Sequence, residues 1–303
     1  MLPSTLRRWP ASLRALTVAV AALGLVAVCG YYAAASVPSL REQSAGYKGY
    51  PHNFAGWTAL AASVRELRAT MPKDTRIVAD NFKVGAELGF ALGDADIPVL
   101  PHPLNRKHGR APQLRLWNLA VQRREALGRH PLLLVVGTSE VEYKYLLSQY
   151  HALCRRMGPL PAPHVVNVDH GAQRFLLFAL GRRPARGPCT TPAMAWIDEP
   201  LAGDRVDDSF DVTGWAFKDG VGLDGVEVTL DGKPVGHARY GLEDRAPQSF
   251  WPISSDPNHP RVGFRAHVQL HGVPAGRHWL GLRLHGSDGS HETWSEQPLE
   301  IVR

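Results

Sequence analysis

From Ala15 to Leu40 the chain carries no charged residue. A run of that length does not belong on the surface of a water-soluble domain. The stretch Ala15–Ala35 is long enough, at about 1.5 Å per residue, to cross a hydrocarbon core of roughly 30 Å. Arg7, Arg8 and Arg14 precede it. By the positive-inside rule, residues 1–14 are expected as a cytoplasmic basic tail and 15–35 as a transmembrane helix, with everything after about Ser36 exported. Trp9, Tyr31 and Tyr32 occupy interfacial positions. The competing expectation is a cleaved signal peptide, with Ala33-Ala34-Ala35 as a small-residue cleavage site. Both place the remaining chain outside: the anchored form as a single-pass inner-membrane protein with periplasmic C-terminal domains, the cleaved form as a soluble protein of the cell envelope.

Charge divides the exported part. Residues 41–190 hold 21 Lys/Arg against 11 Asp/Glu, and residues 191–303 hold 10 against 17. A basic unit followed by an acidic one suggests two domains with different surfaces. Beside a membrane segment, a basic surface faces anionic headgroups rather than nucleic acid, since each juxtamembrane cation gains roughly 1 kcal/mol there. No nucleic-acid partner is expected. Of the three cysteines, Cys29 lies in the apolar run. In an exported protein, Cys154 and Cys189 are a plausible disulfide, with two unrelated buried thiols as the alternative. The absence of C-x-x-C argues against structural zinc, and neither metal nor cofactor is expected.

The pattern from residue 41 to 180 reads as an α/β domain with a mainly parallel sheet. Helices are expected at Trp57–Met71, Phe82–Leu92, Pro112–Leu127 and Glu140–Met157. Strands are expected at Arg76–Ala79, Ile97–Leu100, Leu132–Val136, His164–Val168 and Arg174–Ala179. Residues 181–195 read as a Pro/Gly/Arg linker. From 196 to 303, short alternating runs separated by turn signals predict an all-β immunoglobulin-like sandwich without helices. The runs are Ser209–Ala216, Gly225–Leu230, Val235–Arg239, Arg261–Gln269, His278–Leu284 and Pro298–Val302.

Ligands of an open α/β sheet sit beyond the carboxyl ends of its strands. Asp80, Asn81 and Lys83 follow the first expected strand. His102, Asn105, Lys107, His108 and Arg110 follow the second, with Gln113 and Trp117 close behind. Gly137, Thr138, Ser139 and Glu140 follow the third. Asp80, Asn81, Asn105, Lys107, His108, Arg110, Gln113 and Trp117 are therefore candidates for binding an anion or a polyol. Arg offers a fork, Lys a point charge, and Trp a stacking face. Asp80 is equally suited to capping the helix that starts at Phe82. Phosphate loops, dinucleotide fingerprints and nucleophile elbows are absent. Asp80 or Glu87 as a lone base lacks a second well-placed acid, so no catalytic residue is assigned. In the sandwich, Asp204, Asp207, Asp208 and Asp211 suit calcium or a solvated edge. Trp215, Phe217, Tyr240, Phe250 and Trp251 suit a sugar platform or a core.

Two passages carry a resemblance. The first runs from Asn53-Phe54-Ala55-Gly56-Trp57 through Val78-Ala79-Asp80-Asn81-Phe82 to Pro103-Leu104-Asn105, Lys107-His108-Gly109-Arg110-Ala111-Pro112-Gln113 and Leu116-Trp117. It resembles the exported C-terminal region of bacterial integral-membrane glycosyltransferases of the dolichyl-phosphate-mannose–protein mannosyltransferase and aminoarabinose transferase group. The second, Gly214-Trp215-Ala216-Phe217-Lys218-Asp219-Gly220 to Asp256-Pro257-Asn258-His259-Pro260, resembles a β-domain appended to some of them. The resemblance implies a polyprenyl-phosphate-linked sugar or glycan as ligand, the membrane as location and a multi-span glycosyltransferase as partner. That group's catalytic carboxylates lie in an exported loop between early spans. This chain shows one span and no such loop, so none of those acids maps onto a residue here. The alternative is a signal-cleaved soluble carbohydrate-binding protein.

Overall fold

The computed structural model describes residues 9–47 and 49–302. Arg7 and Arg8, and with them most of the expected basic tail, lie outside the described residues. The chain forms two compact units, Met1–Ala55 and Gly56–Arg303.

The first unit is dominated by α1 (Ala11–Ser36), whose most apolar 18-residue stretch has a mean hydropathy of 2.1 and no buried residue. Its 26 residues measure about 39 Å, longer than a hydrocarbon core. A helix of this kind near an N-terminus serves as a membrane span or as a signal sequence. It stops at Val37, whose ψ of 114° is extended. The next residue, Pro38, disfavours a helical backbone before it and opens the short α2 (Pro38–Gln43). Tyr31, Tyr32 and Phe54 meet edge to face, with ring centroids 6.0 to 6.2 Å apart.

The second unit begins with α3 (Trp57–Ala69), which buries Leu60, Ala61 and Val64 along one face. Next come β1 (Arg76–Ala79), α4 (Phe82–Leu92), α5 (Pro103–Lys107), α6 (Ala111–Leu116), β2 (Leu132–Gly137), α7 (Tyr143–Met157), β3 (His164–Val168) and β4 (Gln173–Leu180). The four strands form one sheet in the order β1-β2-β4-β3. Only β1 and β2 run parallel; the β2–β4 and β4–β3 ladders are antiparallel. The expected mainly parallel sheet is thus a mixed one. The cause is the tight turn at Asp169, His170 and Gly171, all with positive φ. It returns the chain as a hairpin, and β4 enters the sheet beside β2. Successive side chains alternate between the faces. Leu133, Val135, Phe175 and Leu177 pack on the α3/α4 side, and Leu134, Val136, Leu176 and Phe178 on the α7 side.

Two further expectations are corrected. Ile97–Leu100 is not a ladder strand: Val99 makes single bridges to Ala79 and Ala120. Pro98 and Pro101 flank it and lack the donors a ladder needs. The expected helix Pro112–Leu127 ends at Leu116, where Asn118 turns left-handed at φ 57° and Ala120 joins Val99. Arg124–Leu127 is a separate 3-10 turn.

The remainder is built from mainly antiparallel strands in two sheets. One has the order β10-β11-β7-β5, from β5 (Met194–Glu199), β7 (Ser209–Phe217), β10 (Arg239–Leu242) and β11 (Gly263–Gln269). The other has the order β6-β14-β12-β8-β9, with β13 also on β12. Its strands are β6 (Arg205–Val206), β8 (Leu223–Leu230), β9 (Lys233–His237), β12 (Gly276–Gly286), β13 (His291–Thr293) and β14 (Gln297–Ile301). The sheets enclose a shared core that includes Val212, Phe264, Val228 and Leu282. Met194 and Ala195, expected in the linker, already belong to β5. A short helix, α8 (Ala246–Phe250), interrupts what was expected to be all strand and turn.

Layer and sandwich pack as one body. Tyr143 of α7 sits among Trp196, Trp215, Trp251 and Trp294, with ring centroids 5.5 to 6.3 Å away. Its hydroxyl donates to the Ala195 carbonyl at 2.7 Å. Arg174 of β4 is buried, donates to the Thr293 carbonyl at 2.6 Å and stacks on Trp294. Trp215, Phe217 and Trp251 are consumed in this core. They offer no exposed sugar platform.

Candidate functional site

The residues expected to form one polar crest divide into a buried group and a surface group. Asp80, Asn81, His102 and Asn105 are buried together beyond the end of β1. Asn81, not Asp80, caps α4: its Oδ1 accepts from the backbone N–H of Lys83 at 3.0 Å and of Val84 at 3.1 Å. Asn105 Oδ1 accepts from the Phe82 N–H at 2.8 Å, and its Nδ2 donates to the Leu100 carbonyl at 2.9 Å. Asn105 thereby ties the α5 segment to the first turn of α4. Both asparagines spend their side-chain oxygens on backbone N–H groups that would otherwise be orphaned at the start of α4.

Asp80 is enclosed. Its Oδ1 accepts from Asn81 Nδ2 at 2.8 Å and from the Gly137 N–H at 3.3 Å. Its Oδ2 faces His102 Nε2 at 3.9 Å, and neither of these two atoms has a hydrogen-bond partner. Burial pushes the Asp80 carboxyl up to about 8 and the His102 imidazole down to about 4. Between those values both groups are uncharged, as expected where desolvation outweighs every favourable contact. His102 Nδ1 accepts from the Leu104 N–H at 3.1 Å.

The surface group lies on α5 and α6. Lys107, His108 and Arg110 are exposed, and Gln113 is half-buried. Arg110 donates to Gln113 Oε1 at 3.2 Å and lies 5.9 Å over the Phe82 ring, whose other neighbour is His108 at 5.7 Å. Trp117 is 59% exposed. Lys83 is ion-paired with Glu140 and stacks over Trp57, so that cation is occupied.

Arg110, Gln113 and Trp117 border a groove of about 930 Å³ between α4 and α6, and Lys107 and His108 do not line it. Phe82, Ala86, Phe90, Val99 and Leu119 make it mainly apolar, while Asp94 and Asp96 also border it. Phe90 is 90% exposed, uncommon for so large an apolar ring. The groove was not anticipated, although a signal was present. Gly85 and Gly89 stand one helical turn apart on α4. A Cβ on Gly85 would come within 2.9 Å of Val99, and one on Gly89 within 2.9 Å of the Asp94 carbonyl. These glycines let the chain pass close to the helix and leave the groove floor smooth.

In the sandwich, Asp211 is engaged by Arg265 and His267. Among the described residues no group of three or more His, Cys, Asp or Glu is arranged to hold a metal. Ser254, His259 and Asp219 do meet: Ser254 Oγ lies 2.6 Å from Asp219 Oδ1 and 2.9 Å from His259 Nε2. The order is wrong for nucleophilic catalysis. A triad aspartate orients the histidine, whereas here the carboxylate takes the serine directly and His259 Nδ1 has no partner. Asp219 also accepts from the Ser255 N–H and contacts His151 of α7 at 2.7 Å, so it acts as a brace.

No family model matches the chain, and no curated protein matches it. Solved structures give partial similarities. The fibronectin(III)-like modules of Clostridium thermocellum CbhA match 36% of this chain and 46% of their own, at 22% identity and a TM-score of 0.23. CopC from Methylosinus trichosporium OB3b matches 36% of this chain and 93% of its own, at 17% identity and a TM-score of 0.20. The endo-beta-1,4-mannanase from Thermotoga petrophila matches 76% of this chain and 47% of its own, at 10% identity and a TM-score of 0.27. At these scores the similarities carry no functional argument.

Proposed function

We propose that this protein is a membrane-anchored exported module of a lipid-linked-sugar glycosyltransferase system. It binds a polyprenyl-phosphate sugar headgroup or glycan acceptor, or docks on a multi-span catalytic partner. α1 is the inner-membrane anchor, the Gly56–Arg303 unit is periplasmic, and its C-terminal part is an immunoglobulin-like sandwich. The observation that carries the reading is the α4/α6 groove: an apolar floor with Arg110 and Gln113 on its border. That combination suits an amphiphile whose chain lies on Phe82 and Phe90 and whose phosphate meets the guanidinium. Asp94 and Asp96 offer acceptors for sugar hydroxyls. The resemblance of residues 53–117 to the exported region of membrane glycosyltransferases points the same way. The chain brings no catalytic acid pair of its own to this reading.

The test is binding of a fluorescent polyprenyl-phosphate sugar to the full chain in detergent micelles. Arg110→Gln is expected to weaken binding about tenfold, the worth of one charge-assisted hydrogen bond. Ala86→Phe, which narrows the groove from an exposed position, is expected to weaken it further without lowering the melting temperature. Equal affinity in all three proteins would overturn the reading. The alternative, a signal-cleaved soluble carbohydrate-binding protein, is favoured only by the N-terminal position of α1. A mature N-terminus at Ser36 would establish that alternative.

A further inference from the structure

Five arginines of the α/β layer gather away from the groove. Two adjoining concavities share Gln122. The larger, about 350 Å³, is lined by Arg123, Arg155 and Arg156. The smaller, about 90 Å³, is lined by Arg106 and Arg115, among others. No carboxylate lines either one. Among the described residues, Arg156 donates only to the Ala152 carbonyl of its own helix, at 3.2 Å, and none of the five arginines makes an ion pair. Arg156 is held below the ordinary arginine range by burial and then by the charges of Arg155, Arg106 and Arg123.

Like charges gathered without counter-charge destabilise the fold that gathers them. Arg155 and Arg156 gain something from the C-terminal end of the α7 dipole. That does not account for Arg123 and Arg106, which come from the turn before β2 and from α5. Guanidinium forks converging on one concavity match the oxygen geometry of a phosphoryl group. A monocarboxylate would neutralise one of them, whereas a diphosphate carries charge enough for several.

We propose that the Arg123–Arg155–Arg156 concavity, extended by Arg106, is a binding site for a phosphorylated ligand, engaged through a diphosphate-type group. The proposal goes beyond the groove reading and stands without it, since the groove is lined by none of these arginines.

The test uses the full chain in zwitterionic detergent. Sodium pyrophosphate is titrated calorimetrically against sodium chloride at matched ionic strength. A second arm uses geranyl diphosphate, a short prenyl diphosphate, below its micelle concentration. Saturable binding of pyrophosphate is expected, weakened about tenfold by Arg155→Gln and again by Arg123→Gln. Arg239→Gln, a cation on β10, is expected to leave it unchanged. Binding of pyrophosphate alone supports the site with a free diphosphate as source. Binding of the prenyl diphosphate alone supports it with a lipid-borne headgroup as source. Heat equal to the chloride control in both arms, or binding indifferent to the Arg123 and Arg155 substitutions in proteins with unaltered circular dichroism, overturns the proposal.

Discussion

Breaking the Cys154–Cys189 bond is expected to lower the stability of the Gly56–Arg303 unit by about 3–4 kcal/mol. The two residues are joined across a sequence separation of 35, with Cα atoms 6.0 Å apart. The cross-link ties the last turn of α7 to the segment entering β5, the first strand of the sandwich. Loop closure on that scale restricts the unfolded chain, and both sulfurs pack with the core that joins layer and sandwich. For a unit of this size the loss corresponds to a fall in melting temperature of roughly 10 °C. The measurement is thermal unfolding of the full chain in detergent, with and without reductant, in a Cys29→Ser background. Cys29 lies exposed on α1 and takes no part in the bond. Cys189→Ser is expected to melt with the reduced protein. Cys154→Ser is expected to fall lower still, because Cys154 is buried and a serine hydroxyl there has no evident partner. Coincident melting of oxidised and reduced protein would remove the disulfide from the account of stability.

Asp80→Asn is expected to abolish a loss of stability that the native chain suffers between pH 6.5 and 8. The folded Asp80 carboxyl is raised to about 8 from an ordinary 3.8. Its contribution is therefore complete below about 3.8 and is lost as pH rises through 8. His102 is depressed to about 4 from 6.5. Its contribution is complete above 6.5 and is lost as pH falls through 4. Between about pH 4 and 6.5 the two slopes oppose each other. Above 6.5 only Asp80 remains, and about 1.5 pH units of that slope amount to about 2 kcal/mol. Asparagine keeps the carbonyl oxygen that accepts from Asn81 and Gly137 and cannot ionise. The variant's melting temperature should stay level from pH 6.5 to 8 while the native protein's falls by about 4–8 °C. Parallel profiles for the two proteins would show that Asp80 titrates elsewhere.

The span of the helix Phe82–Leu92 was legible because its signals are local, although the capping residue is Asn81 and not the expected Asp80. Asn81 can cap it, Gly93 closes it in the left-handed conformation at φ 66°, and Val84 and Leu88 fall on one face. β2 was legible as a strand covered on both sides because Leu132–Val136 is unbroken and apolar. Its neighbours were not. Nothing in His164–Val168 or Gln173–Leu180 specifies which edge a returning hairpin will join, and a strand's direction in a sheet depends on residues far away in sequence. The 112–127 segment misled for a related reason. Its apolar spacing suits a helix, yet the backbone of Val99 recruits Ala120 as a bridge partner instead.

The candidate site divides along the same line. Residue type and position after a strand gathered Asp80, Asn81, Asn105, Arg110, Gln113 and Trp117 into one polar list. Packing sorted them. Asn81 and Asn105 went inside to satisfy the first N–H groups of α4, Asp80 was enclosed beside His102, and Arg110, Gln113 and Trp117 went to the border of a groove. Two glycines of α4 admit at contact distance the Val99 and Asp94 segments that line that groove.

What the sequence determined by itself was whatever depends on near neighbours: a helix apolar enough to span a membrane, the span of α4, the buried β2, and a basic half followed by an acidic one. The tertiary structure alone decided the mixed sheet, the aromatic seam around Tyr143, the uncharged state of Asp80 and His102, and the convergence of Arg106, Arg123, Arg155 and Arg156. Each of these is a matter of burial or of charge at a distance, and both are set by where remote segments come to rest.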